Sequence, residues 1–368
     1  MKDNKRLRHV VIGVAARIFR NHRLGLALDS AVLVAASDVN VELGQQRAAE
    51  LGCPFYRDHR QMLTEVEADV AVILTPPPSH APIAIDCLEA GLHVLVEKPM
   101  AVQVSEAAAM IEAAAKSGRL LAVNFQHRFR PEIRAARRLI QDGQLGEIQR
   151  VEVVAISPRT PVYYGSGDGW HLTWAGSGGG LLMIQAPHEL DLIYHLVGRP
   201  VRVAGWIRTY LHSIQPEDTA HAILEWPNGA VGYFHGSTAQ IGQPQRIDLV
   251  GTRGILNIRA GELAFQQIEG DIREVLLASE GRSAKPELRV IMVDLERGAG
   301  DHVAVYRNLH SAILDGAELV VSGQESFASL ELANAIVYSS HMHREVDLPM
   351  DGQAYSELLA TLTSGNCG

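Results

Sequence analysis

Two clusters of side chains stand at spacings that could move a proton. Glu97-Lys98-Pro99 closes the apolar run Ala90-Gly91-Leu92-His93-Val94-Leu95-Val96, which predicts a short buried strand. Some 20 residues earlier, Ile73-Leu74-Thr75-Pro76-Pro77-Pro78-Ser79-His80 reads as a second apolar strand breaking into a rigid turn. A lysine held between a glutamate and a proline can hydrogen-bond a reacting hydroxyl, whereas an isolated surface tripeptide of this kind makes a salt bridge. The second cluster is His188, Asp191 and His195, at i, i+3 and i+7 on a helix that Pro187 starts and that runs to about residue 197. Histidine titrates near neutral pH and suits a base for a hydroxyl proton. A solvated helix face carries the same pattern.

These residues need a frame. Residues 8–123 alternate apolar strands (9–13, 32–37, 70–74, 94–96, 120–124) with helical patterns (40–51, 80–90, 104–117). Such alternation predicts a parallel sheet covered on both faces, with ligands bound beyond the carboxyl ends of its strands. The dinucleotide pattern of glycines is poor: Gly13-Val14-Ala15-Ala16-Arg17-Ile18 keeps only its first glycine. Ala15 adds a methyl where backbone should approach pyrophosphate, and Ile18 loosens the helix–strand approach. Arg17 and Arg20 offer compensating charge. Asp38 ends the second strand, 20 residues past the third expected glycine, and would bind both adenosine ribose hydroxyls, favouring NAD over NADP. A strand–turn–helix that binds nothing is the other reading of this stretch.

Past Arg128 the pattern changes. A helix over 131–142 is followed by strands at 148–156, 201–210, 220–226, 230–239, 246–251 and 254–259, with turn residues such as Pro227-Asn228-Gly229 between them. Helices at 302–315 and 324–343 come last. We therefore expect a Rossmann-type domain, 1–128, and an α+β domain with a large, mainly antiparallel open sheet, 129–368. The length and the 47% apolar content suffice for two cores, and the net charge of −9 argues against nucleic acid or an anionic membrane as partner. The basic start has no apolar run long enough for a signal peptide or membrane span. Three scattered cysteines (Cys53, Cys87, Cys367) suit a reducing cytoplasm.

Taken in order, these segments resemble the Gfo/Idh/MocA oxidoreductases, a family that includes inositol dehydrogenase and glucose–fructose oxidoreductase. The resemblance rests on Ala68 to His80, Ala90 to Ala101, Val123-Asn124-Phe125-Gln126-His127-Arg128-Phe129 and Gly143-Gln144-Leu145-Gly146. It continues in Gly178-Gly179-Gly180-Leu181, His188, Asp191 and Val346-Asp347-Leu348-Pro349. It implies a cofactor site of Gly13, Ala15, Arg17, Ile18, Asp38, Thr75, Pro76, Pro77, His80, Glu97, Lys98 and Gln126. Asp38 would take the adenosine ribose, Glu97 the nicotinamide ribose, and Lys98 would bridge cofactor and substrate. It further implies His188 as base and a homodimer or homotetramer joined through the open sheet.

One residue departs from the family pattern. The carboxylate expected four residues before the histidine is Ile184 here, so Asp191 or the substrate's own hydroxyls would have to orient His188. Tyr163, Tyr164, Trp170, His171 and Trp174, with Arg128, Gln126 and Asp191, mix aromatic faces and hydrogen-bonding groups in a way that suits a carbohydrate. The same aromatics also serve as ordinary core. The expected activity is NAD-dependent oxidation of a secondary hydroxyl of a sugar, glycoside or nucleotide sugar. A hydrolase or lyase using transient oxidation, and a cofactor-binding regulatory protein, remain as alternatives. No metal site is expected from His235, His302, or His341 with His343: an HxH on one helix puts its two rings on different faces, and no carboxylate cluster accompanies it.

Overall fold

A computed structural model describes residues 6–165, 169–242, 245–259, 261–298 and 300–365; Cys367 lies outside them. The chain forms two compact units. The first comprises residues 1–126, 175–178 and 300–330, and the second comprises 127–174, 179–299 and 331–368. A single cut at 128 therefore misplaces the helix His302–Asp315, which belongs with the first unit. Its stripe Val305, Tyr306, Leu309 and His310 is buried against that unit's core, an affinity that strand–helix alternation cannot reveal.

The first unit is built on six parallel strands, β1 (Leu7–Ile12), β2 (Ala31–Ser37), β3 (Phe55–Tyr56), β4 (Val70–Ile73), β5 (His93–Val96) and β6 (Leu121–Val123). Their order, 3-2-1-4-5-6, reverses between β1 and β4, the point where such sheets hold dinucleotides. Val-Ala-Val-Ile of β4 is buried at every position because helices cover both faces. The short β3 and the helices Phe19–Leu26 and His59–Glu65 are elements the sequence patterns missed.

The second unit carries nine strands: β7 (Ile148–Ile156), β8 (Arg202–Arg208), β9 (Thr219–Glu225), β10 (Val231–Ser237), β11 (Arg246–Gly251), β12 (Gly254–Arg259), β13 (Glu262–Gln267), β14 (Arg289–Ile291) and β15 (Val346–Asp347). The order is 14-13-12-11-7-10-9-8-15, antiparallel except where β10 runs parallel to β7. Burial alternates residue by residue along β8, β11 and β12, so one face packs and the other stays open. The sequence missed β13, β14, β15 and the helix Gly352–Thr363.

Candidate active site

At the end of β1, Gly13 has φ +90°, and a Cβ there would lie 2.9 Å from the backbone of Leu74 and Thr75. Only glycine allows β1 and β4 to close so tightly. The Asp38 carboxylate accepts from the Ala15 amide (2.7 Å) and from the Asn40 amide (2.8 Å), fixing the turn after β1 to the end of β2. Arg47, which the sequence patterns passed over, donates to the carbonyls of Val14 (2.7 Å) and Ala16 (2.9 Å). These contacts hold the loop in shape where two of three expected glycines are missing. Ile18 is half-buried at the helix entrance, while Arg17 and Arg20 are exposed.

At the ends of β4 and β5 the expected groups lie close together. Thr75 accepts from the Ser79 hydroxyl at 2.8 Å, at the start of the 3₁₀ turn Pro77–Ser79. His80, expected on the nicotinamide, is instead 1% exposed. Its ring nitrogens face the Pro99 carbonyl (2.8 Å) and the Thr75 carbonyl (2.7 Å), so it ties the two strand ends together. Burial lowers its pKa, and a neutral ring donates to one carbonyl at a time. Lys98 is half-buried, and its peptide bond to Pro99 is cis.

Glu97 is the most constrained member of this group. Burial pushes its carboxyl up, but the His22 hydrogen bond and the charges of His22 and Lys98 outweigh that and hold it at about 2. His22 Nε2 lies 2.9 Å from Glu97 Oε1, and Asn124 donates to the same oxygen. The far ring nitrogen of His22 meets the Tyr306 hydroxyl at 3.0 Å. His22 thus bridges a tyrosine hydroxyl and a carboxylate, one through each ring nitrogen. Helical spacing was the available signal for His22, since Phe19, His22, Gly25 and Leu26 form the buried face of their helix.

In the second unit the helix Pro187–Val197 is not a solvated face. His188 is 8% exposed and Asp191 is fully buried. Asp191 receives a two-pronged ion pair from Arg128, Nε to Oδ2 at 2.8 Å and Nη2 to Oδ1 at 2.6 Å. Both were expected on the substrate. The structure pairs them with each other, at about 1% side-chain exposure. His188 stacks on His127, with ring centroids 3.9 Å apart. Arg130 holds His127 in turn, Nη2 to Nε2 at 2.6 Å.

Among the aromatic residues, Tyr164 and His171 are also turned inward. The Tyr164 hydroxyl meets Thr238 Oγ1 at 2.9 Å, and His171 Nε2 faces the Tyr163 carbonyl at 3.1 Å. Trp174 is buried, whereas Tyr163 and Trp170 are half-buried. Trp170 packs edge-on against His171 with centroids 4.9 Å apart. Gln126 is half-buried at the end of the first unit's main segment. The glycine run before His188 is anchored by Glu217, whose carboxylate accepts from the Gly180 amide (3.0 Å) and the Leu182 amide (2.9 Å). A Cβ on Gly180 would overlap the Glu217 carbonyl oxygen.

Residues 7–125 match the oxidoreductase family with NAD-binding Rossmann fold, and residues 133–257 match the GFO/IDH/MocA C-terminal domain. Together the two matches span well over half of the chain, which belongs to the Gfo/Idh/MocA oxidoreductases and carries their NAD-binding domain. Among its relatives is myo-inositol 2-dehydrogenase of Thermotoga maritima, 23% identical over 92% of this chain and 97% of the relative. Inositol 2-dehydrogenase of Rhizobium meliloti is 25% identical over 91% of this chain and 97% of its own. A solved structure of the WlbA dehydrogenase from Bordetella pertussis, in complex with NADH and UDP-GlcNAcA, superposes with a TM-score of 0.79. It is 28% identical and covers 94% of this chain and all of its own, 100%.

Proposed function

We propose that this protein is an NAD-dependent dehydrogenase that oxidises a secondary hydroxyl of a cyclic polyol, a sugar or a nucleotide sugar. The observation that carries the reading is the ionised, anchored Glu97 next to Lys98 at the carboxyl end of β5, in a domain of the NAD-binding family. The residues fit the cofactor: Gly13 leaves room for the turn, and Asp38 sets a carboxylate at the end of β2, where a 2′-phosphate would be repelled. Bound NAD supplies the hydride acceptor.

This chain's own residues do the rest. Glu97 Oε1 is committed to His22 and Asn124, which aims the carboxylate as an acceptor for ribose hydroxyls. Lys98 donates to the substrate hydroxyl and stabilises the charge that develops on its oxygen, an effect of about 3 kcal/mol in a dry site. His188 takes the hydroxyl proton. Asp191 is committed to Arg128, so it acts by holding the helix of His188, and the His127 stack orients the imidazole. The half-buried Tyr163 and Trp170 offer apolar faces suited to the C–H face of a sugar ring. Relatives named for inositol and a structure bearing a nucleotide sugar support this substrate class.

NADH absorbance during a panel of cyclic polyols, sugars and nucleotide sugars tests the reading. Net NADH is expected, with Lys98→Met and His188→Ala each lowering kcat by about 10²-fold or more. Near-normal turnover by His188→Ala would remove it as the base. Turnover without net NADH would favour a hydrolase or lyase, and cofactor binding without turnover a regulatory protein.

A further inference from the structure

Three side chains from separate elements converge in the first unit. They are His22 on the helix Phe19–Leu26, Glu97 after β5, and His302, the first residue of the helix His302–Asp315. One potential ligand atom from each lies within 4.8 Å of the others. Glu97 Oε1 is 2.9 Å from His22 Nε2 and 3.8 Å from His302 Nε2. His22 and Glu97 are buried, and His302 keeps 13% of its side chain exposed. His302 is the most exposed of the three. The sequence makes no metal case for His302; folding brings Glu97 to it from about 200 residues away.

We propose that His22, Glu97 and His302 form a binding site for a divalent transition-metal ion of the zinc type, with a fourth position open on the His302 side. Two imidazoles and a carboxylate are a donor set that holds zinc while leaving a coordination position free. Bonds of about 2.0–2.1 Å in a tetrahedron set ligand atoms about 3.3 Å apart. The Glu97–His22 pair must therefore open, and the Glu97–His302 pair close, by about half an ångström each. The two histidines, within 4.8 Å of each other, must close by up to about 1.5 Å through rotation of their side chains. The supporting groups are present. Tyr306 Oη stands 3.0 Å from His22 Nδ1, and Asn124 donates to Glu97, so the ring and the carboxylate are both oriented from behind. Without metal, His22 Nε2 and Glu97 Oε1 are hydrogen-bonded to each other. Metal binding at Nε2 replaces that hydrogen bond, and any proton on the coordinating nitrogen must leave it. Imidazole donors favour zinc, cobalt or copper over magnesium and calcium.

The site has a consequence that rests on the proposed role of Glu97: a carboxylate engaged by metal is withdrawn from the nicotinamide ribose, so zinc should compete with NAD. Tag-free, metal-stripped protein titrated with zinc by calorimetry, and with cobalt followed by its visible d–d bands, tests the site directly. We expect one equivalent to bind, with affinity falling at least about 100-fold in His302→Ala and in His302→Gln. His235→Ala, which disrupts the stacked His221–His235 pair of the second unit, serves as control and should leave binding unchanged. Circular dichroism checks that each variant is folded. Absence of stoichiometric binding, or equal binding in folded His302 variants, overturns the site. Stoichiometric binding lost in those variants but without competition against NAD supports the site and removes Glu97 from the ribose.

Discussion

Arg128 and Asp191 show how far burial can redirect a charged residue. A guanidinium and a carboxylate with about 1% of their side chains exposed cannot remain charged in isolation, and their two-pronged pairing satisfies both. Removing one partner strands the other, so Asp191→Asn and Arg128→Leu should each cost about 3–5 kcal/mol of unfolding free energy in urea. The paired replacement Arg128→Met with Asp191→Leu should recover most of that loss, because two apolar groups need no compensation. Single variants costing under about 1 kcal/mol would return these residues to the role of substrate ligands. His80, Tyr164 and His171 obey the same logic with backbone carbonyls and a hydroxyl as partners.

At the scale of elements, the glycine run and the helix bearing His188 depend on Glu217. Burial pushes this carboxyl up to about 7, against the pull of the Leu182 and Gly180 amides, which favour the ionised form. A raised acid pKa means that the folded state holds a proton the unfolded chain has released. Its contribution is thus full below pH 4.5, the ordinary value, and is lost as pH rises through about 7. The shift corresponds to about 3 kcal/mol. Hydrogen exchange of the amides at 180–182 should quicken from pH 5 to 7.5 beyond the intrinsic rate increase. Glu217→Gln should flatten that excess. The comparison with the parent matters because His195, held to about 3 by burial and by Arg128 and Arg137, slopes stability the opposite way. An unchanged excess in Glu217→Gln would show that this carboxyl does not control the segment.

For the molecule as a whole, the return of residues 300–330 to the first unit has a measurable consequence. His310 Nε2 meets His9 Nε2 at 3.0 Å, His9 Nδ1 faces the Leu7 carbonyl, and Ser30 meets His310 Nδ1. One consistent set of neutral tautomers fills all three contacts. Burial holds both rings at about 4. The unfolded chain therefore binds more protons between pH 6.5 and about 4, and stability present above 6.5 is lost as pH falls through that window. His9 alone accounts for about 3 kcal/mol. Unfolding free energy measured at pH 7 and 4.5 should drop in the parent, and the drop should shrink in the double variant His9→Gln, His310→Gln. An equal drop in both would place the acid sensitivity elsewhere.

Much of this architecture follows from local physics. Helical and strand periodicity, turn residues and a proline at a helix start act over a few residues, so most of the strand–helix alternation of 8–123, the helix Pro187–Val197 and β7 to β12 of the second sheet could be read directly. The placement of Asp38, Thr75 and Lys98 at strand ends came with them. Partner choice was beyond that reach. Arg128 and Asp191 lie 63 residues apart, His22 and Glu97 75, and His22 and Tyr306 284. No periodicity links such positions, and only burial at a shared point makes their pairing necessary. The sequence by itself determined the class of fold and which polar groups stand at its strand ends. The tertiary structure decided which charges are spent within the protein, because the cost of desolvating them exists only once the chain has closed around them.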